Sequence, residues 1–354
     1  MIERARTAKL AGPIRRILVE TKYRFIGDTL LAVPLLRAIA RTWPEASISL
    51  VTGAKACELL KHCPYVHEFI EFDPYRACDK GLSSYFGLVS RLRDHRFDLA
   101  IVCNRSFHSA LTACLGKARM RVGWSGFEKR DCLLTHTTPY DPNASEVESY
   151  LDLLRCVSTV TQADPRVTLW VTRQERESVR GRLAGSPIIA IQPGASHAEK
   201  QWPADRFAEL AMRLRLENPG ASFVLVGGPD ERSATDSMAR ACDDRLRESL
   251  IDLVGVLPLR ETLAVLTYVD LFVGGDTAIR HAAMALGKSS VALFGPTSAR
   301  KWGNAAPPVH AVLAAEDGRV DSLTVDQVCG AASAALGTAS SAASNIHDEI
   351  GVTA

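Results

Sequence analysis

Residues 16–42 read RILVETKYRFIGDTLLAVPLLRAIART, and residues 188–216 read IIAIQPGASHAEKQWPADRFAELAMRLRL. In the first stretch Arg16–Glu20 has the continuous apolar centre of a buried strand, Gly27 permits a tight turn, and Thr29–Arg41 carries apolar residues at helical spacing. In the second, Ile188–Gln192 is the strand, and a helix over 204–216 places Phe207, Leu210, Ala211 and Leu214 on one stripe, with Pro203 suited to its first turn. A strand–loop–helix unit that occurs once in each half predicts two α/β domains of the doubly wound, Rossmann-like kind.

The flanking sequence extends both halves. Ser47–Val51, His67–Glu71 and Asp98–Val102 read as further strands of the first, with Lys55–Leu60 and Tyr85–Asp94 as helices between them. Phe223–Gly227, Leu271–Gly274 and Ser290–Phe294 read as further strands of the second. Gln162–Ser186 is polar and holds two prolines, which puts the boundary near 185. The expected domains are therefore 1–185 and 186–337, facing each other across a cleft, with an Ala/Ser-rich tail over 338–354 that frays.

Composition excludes several classes. The 354 residues carry 42 Lys+Arg against 40 Asp+Glu, a formal charge of +2, so no broad basic field invites nucleic acid. With 47% hydrophobic residues the chain can fill two cores. No apolar run approaches the ~20 residues of a membrane span, and the amino-terminal residues lack the apolar region of a secretory signal, so a cytoplasmic location is expected. Nine scattered cysteines without CxxC spacing suggest reduced thiols and no zinc site. Residues 1–24 hold seven basic residues (Arg4, Arg6, Lys9, Arg15, Arg16, Lys22, Arg24) against Glu3 and Glu20, which reads either as a solvated terminus or as an edge for peripheral contact with an anionic inner membrane.

The chain has no GxGxxG after a strand, no GxxxxGK[ST], no GxSxG and no DxD pair. Phosphate chemistry would have to use Lys, Arg and backbone N–H groups, with no metal. Four loops at strand ends can supply it. Asp28, at the start of the first helix, reads as an N-cap or as a carboxylate that takes a proton from a hydroxyl. In 193–203, Ser196 and Lys200 offer a hydroxyl and a charge to a diphosphate. Glu231 reads as an acceptor for ribose hydroxyls or as a first-turn helix acid. In 274–281, Asp276, Thr277 and Ala278 open a helix whose free N–H groups suit a phosphate, and His281 stands one turn in as a packed histidine or a ligand.

Together these segments resemble glycosyltransferase family 9, the bacterial lipopolysaccharide heptosyltransferases. The family's elements stand here as IGDTLLAVPLLRAI at 26–39, PGASHAEKQWPADRFAEL at 193–210 and DTAIRHAAMALGKSSVALFGPT at 276–297, in the family's order, and the resemblance covers roughly 15–335. It implies a GT-B fold, with the acceptor on the amino-terminal domain and the nucleotide sugar on the carboxyl-terminal one. It further implies inverting, metal-independent transfer from ADP-L-glycero-β-D-manno-heptose to an inner-core sugar, with no cofactor. Carried over by position, the catalytic aspartate falls on Asp28, the phosphate-binding lysine on Lys200, the nucleotide loop on Asp276, Thr277, Ala278 and His281, and the ribose acid on Glu231.

This chain departs from the family pattern at Arg24-Phe25, where small polar residues are usual, at Ala278, where glycine is usual, and at Arg280, an added charge that reads as a further phosphate contact. The alternatives are a transferase of the same fold acting on another glycan or a small natural product, or a non-catalytic nucleotide-sugar-binding protein.

Overall fold

The computed structural model describes residues 12–76, 78–159, 163–303 and 310–342. Two compact units meet in sequence between Val167 and Thr168. Among the described residues the first unit holds six strands, β1 (Arg16–Glu20), β2 (Ser47–Thr52), β3 (Glu68–Glu71), β4 (Leu99–Val102), β5 (Met120–Ser125) and β6 (His136–Pro139). All pair in parallel, in the order β3-β2-β1-β4-β5-β6. Its helices are α1 (Ile26–Leu31), α2 (Val33–Thr42), α3 (Ala54–Leu59), α4 (Leu82–His95), α5 (Phe107–Leu115) and α6 (Glu146–Arg155).

The second unit repeats the scheme. Its strands are β7 (Ile188–Gln192), β8 (Ser222–Leu225), β9 (Leu250–Asp252), β10 (Leu271–Gly275), β11 (Ser289–Phe294) and β12 (His310–Ala314), in the order β12-β11-β10-β7-β8-β9 and all parallel. Its helices are α7 (Arg173–Arg180), α8 (Ala204–Glu217), α9 (Arg232–Ala241), α10 (Asp244–Arg247), α11 (Leu259–Leu266), α12 (Ala278–Ala285), α13 (Ala299–Trp302) and α14 (Val325–Ala342). The stripe expected on α8 is buried throughout, packed with Ile189, Ile191, Phe223 and Leu225 of the sheet and Val328 and Ala332 of α14.

In each sheet the chain winds outward over three strands, returns to the first, and continues on its other side. The reversal falls between β1 and β4 in one unit and between β7 and β10 in the other. At such a point the loops leaving the two neighbouring strands diverge to opposite faces, and a crevice opens at the carboxyl edge.

Four expectations change. The helix expected over 29–41 is two helices that part at Ala32, because Pro34 has no N–H to give the Leu30 carbonyl. The boundary lies at 167/168, not 185. The segment before β7 is tied to the second unit: Thr172 and Glu175 form a capping box on α7, Glu175 pairs with Arg260 of α11 at 2.7 Å, and Leu169 N–H donates to the Ala285 carbonyl at 3.1 Å. Helix α14 runs on to Ala342, past the expected fraying at 337, and residues 343–354 of the expected tail lie outside the described residues. Strands β5, β6 and β9 have no continuous apolar run to announce them, β12 has one in Ala311–Ala314 that was passed over, and His136–Pro139 is only partly buried.

All nine cysteines are free thiols. Among the described residues no helix is long and apolar enough to cross a membrane.

Gly53, at the end of β2, lets the β2–α3 turn pass against the loop that leaves β1: a Cβ there would collide with the Tyr23 carbonyl oxygen. Gly53→Ala should therefore destabilise the first unit by about 1–3 kcal/mol. Gly87→Ala, on an exposed turn of α4 where a Cβ meets nothing, should stabilise it by roughly 0.5–1 kcal/mol. Urea unfolding of both variants checks the pair, and equal midpoints would contradict it.

Candidate active site

Two clusters of polar side chains stand at the two reversal points, one in each unit. In the first, Asp28 is the third residue of α1, and its side chain does not cap the helix, whose N-cap position is Phe25. The capping reading is thereby corrected. The Asp28 carboxylate instead forms a close ion pair with Lys22 Nζ, and Lys22 also donates to Glu146 Oε1 at 3.2 Å. All three side chains are largely withdrawn from solvent, Glu146 almost completely.

Local sequence fixes this arrangement. The Lys22 carbonyl accepts from Thr29 Oγ1 at 3.2 Å and Thr52 Oγ1 at 3.4 Å, which pins the β1–α1 loop between α1 and β2. Glu146 opens α6 behind its N-cap Ser145, whose hydroxyl accepts from the Glu148 N–H at 3.2 Å. Burial would lower the Lys22 pKa, but Asp28 and Glu146 outweigh it and raise it above the ordinary lysine value. Beneath the triad Glu20, the last residue of β1, is fully buried and accepts from the Tyr23 hydroxyl. Burial pushes its pKa up to about 7. Arg24 and Phe25 are exposed in the loop, with Arg24 stacked 5.2 Å over the Tyr75 ring.

In the second cluster β7 ends in Gln192, level with Gly274 of β10, and the absence of a side chain at Gly274 leaves room for it. Gln192 Nε2 donates to both Glu231 oxygens, at 3.1 and 2.9 Å, and its Oε1 accepts from Thr277 Oγ1 at 2.6 Å. The Thr277 hydroxyl in turn caps α12 by accepting from the Arg280 N–H at 3.2 Å. A chain of bonds thus joins Glu231, Gln192, Thr277 and the amino end of α12. Glu231 also accepts from the Gly228 N–H, and it fits so closely that a Cβ at Gly194 would lie 2.5 Å from its own Cβ. Burial raises the Glu231 pKa against those hydrogen bonds.

Beside this chain, Asp276 gathers charge. Lys200 Nζ lies 3.3 Å from one carboxylate oxygen; His281 Nε2 and an Arg280 nitrogen lie 3.6 and 3.7 Å from the other. Burial alone would raise the Asp276 pKa, but His281 and the Lys200 and Arg280 charges hold it well below the usual carboxylate range. Lys200 closes a short turn, Ala198–Lys200, whose last carbonyl packs on Gly275, where a Cβ would be 3.1 Å away. His281 is buried, and burial together with Arg280 pushes its pKa down to about 4, leaving a neutral imidazole at pH 7.

The structure brings Lys200, Glu231, Asp276, Thr277 and His281 together, and Ala278 is the first residue of α12 behind its cap. Ala278 is not among the residues with positive φ, so the usual glycine is not required there by backbone geometry. Ser196 stands exposed in the β7–α8 loop, and no hydrogen bond ties it to the cluster among the described residues. Arg280 corrects its expected role. It is almost fully buried, donates to the Trp302 and Gly303 carbonyls at 2.6 and 2.8 Å, and lies over the Phe294 ring, so it braces α12 from behind.

The basic edge read over residues 1–24 changes too: Lys22 is spent inside the first cluster, and Arg4, Arg6 and Lys9 lie outside the described residues. Sequence reasoning missed Lys22, Glu146 and Gln192 as site residues. Gln192 had a signal, a polar residue closing an apolar strand at a reversal point.

The two clusters can do different chemistry. The first couples one ammonium to two carboxylates and can accept a proton. The second places a lysine and the first-turn N–H groups of an eight-residue helix beside a hydrogen-bonded carboxylate, which suits an anion carrying hydroxyl groups.

Known proteins share this framework. The profile of glycosyltransferase family 9 (heptosyltransferase) matches residues 85–325. Lipopolysaccharide heptosyltransferase 2 of Salmonella typhimurium is 29% identical over 287 residues, covering 77% of this chain and 81% of that one. The structure of Escherichia coli ADP-heptose lps heptosyltransferase II superposes with a TM-score of 0.76 at 26% identity, over 91% of this chain and 99% of that one. A glycosyl transferase family 9 structure from Veillonella parvula gives a TM-score of 0.81 at 21% identity, over 94% and 100%.

The neutral burial of His281 carries a pH signature. Its folded pKa of about 4 lies below the ordinary 6.5, so the unfolded chain takes up the proton first. The stability it contributes is intact above about pH 6.5 and is lost as the pH falls towards 4. Between pH 7 and 4.5, wild type should therefore lose more of its urea midpoint than His281→Gln does. Equal losses would contradict the neutral, buried assignment.

Proposed function

The chain belongs to glycosyltransferase family 9, the heptosyltransferases, and we propose that it transfers heptose from ADP-heptose to a sugar hydroxyl of the lipopolysaccharide inner core, inverting the anomeric centre without a metal. The observation that carries this reading is Lys200, held 3.3 Å from Asp276 beside the capped amino end of α12. A cation and helix N–H groups at one place stabilise the charge that grows on a departing nucleoside diphosphate, the task a metal performs in other transferases.

The donor binds on the second unit. Its diphosphate meets Lys200, the N–H groups of Ala278 and Ile279 and the Ser196 hydroxyl of the exposed β7–α8 loop. Glu231, oriented by Gln192, accepts from the ribose hydroxyls. Thr277 fixes the helix end, and neutral His281 with Asp276 holds Lys200 in place without adding a second exposed charge. On the first unit Asp28 takes the proton of the acceptor hydroxyl. The oxygen forms a bond to C1 of the heptose as the C1–O bond to the β-phosphate breaks, and ADP leaves with the electron pair. Relatives named as lipopolysaccharide heptosyltransferases support a lipopolysaccharide acceptor, and the reading takes the enzyme to work in the cytoplasm at the surface of the inner membrane.

Two measurements test this. In a thermal-shift screen ADP should raise the melting temperature where GDP and UDP do not; selectivity for UDP or GDP would remove the donor assignment. Asp28→Ala should lower kcat by roughly 10²–10⁴-fold with ADP affinity nearly unchanged, whereas Lys200→Ala should weaken ADP binding as well. Wild-type turnover in Asp28→Ala would refute the base.

A further inference from the structure

We infer that Glu146 sets the basicity of Asp28 through Lys22, so that the proton acceptor of the first unit is a carboxylate–ammonium–carboxylate triad and not a lone aspartate. The inference rests on the reading of Asp28 as the base and adds two positioning residues to it, Lys22 and Glu146.

The geometry poses the problem that Glu146 solves. An aspartate paired with one ammonium is a poor base, since the cation favours the charged carboxylate over the acid that proton uptake would form. Here the ammonium is shared. Lys22 Nζ contacts Asp28 Oδ1 and, at 3.2 Å, Glu146 Oε1, and the Glu146 side chain is only 2% exposed. A carboxylate so deeply buried is costly unless it is paired, and in this position its charge acts through little screening water. The triad carries one net negative charge before proton uptake and none after it, whereas Asp28 with Lys22 alone would pass from neutral to positive.

The neighbouring titratable groups do not take over this role. Tyr150, from α6, has its phenol pushed well above the ordinary value by burial and then by Glu146. Cys103, just past β4, is likewise pushed up by burial, with Glu146 and Glu20 adding to it. Both stay neutral. Glu20, from the end of β1, is turned to Tyr23 and Ser109, with Arg130 beside it. The Lys22 backbone cannot swing away, because Thr29 and Thr52 hold its carbonyl. In the reaction the acceptor O–H bond breaks and its proton goes to an Asp28 oxygen, while Lys22 keeps all of its protons.

The titration itself needs no substrate. Full-length protein labelled with 13C at the aspartate carboxyl carbon is titrated by NMR, the Asp28 resonance being assigned by its loss in Asp28→Asn. Glu146→Gln should lower the Asp28 midpoint by about half a pH unit or more, and Lys22→Met should raise it by a similar amount or more. Glu146→Asp, which keeps the charge, should restore most of the wild-type midpoint. Loss of packing alone would not move the two charge-removing variants in opposite directions. An Asp28 midpoint that is unchanged or raised in Glu146→Gln overturns the inference. Turnover of Asp28→Asn separates the two readings: full activity there removes the base itself, and lost activity with an unmoved Glu146→Gln midpoint removes only the triad.

Discussion

Both candidate sites in this chain depend on where each parallel sheet reverses its winding. β1 has β2 on one side and β4 on the other, and β7 has β8 and β10. A strand interior so placed must be apolar, as Ile17–Val19 and Ile189–Ile191 are, yet its carboxyl end opens on a crevice that can hold polar groups. The chain puts Glu20 and Gln192 at those two ends. Each is buried and each is hydrogen-bonded, Glu20 by Tyr23 and Gln192 by Glu231 and Thr277. The site residues proper are built one layer out from these anchors.

The two clusters arrange charge differently on the same framework. In the first, one cation lies between two carboxylates; in the second, Asp276 lies among two cations and a neutral imidazole, with the Glu231 carboxylate joined through Gln192 and Thr277. The first is left with negative charge, which suits taking a proton; in the second two cations balance two carboxylates, and Lys200 beside the helix N–H groups is what suits a diphosphate. Each arrangement is made by side chains that local contacts hold still: threonines on the Lys22 carbonyl, Gly275 under the Lys200 turn, and Arg280 braced on Trp302 and Gly303.

Much of this was legible in the sequence, for identifiable reasons. Central strands announce themselves because burial on both faces demands continuous apolar runs, and loops after such strands must carry the chemistry. The edge strand His136–Pro139 is under no such demand and went unread. Asp28 was legible as a candidate site residue, but its pairing was not, since Glu146 stands 124 residues from Lys22 in the chain and only the fold joins them. Arg280 misled for the opposite reason. A charge beside a phosphate loop suggests a ligand contact, yet this one points back into the protein to carbonyls that spacing cannot reveal.

The central claim is that this fold performs a single displacement with Asp28 as base and Lys200 beside the leaving group. The anomeric configuration of the product tests it most directly. Transfer from ADP-L-glycero-β-D-manno-heptose to a deacylated inner-core acceptor should yield an α-linked heptose, seen in the one-bond carbon–proton coupling at C1. A β-linked product would contradict the account.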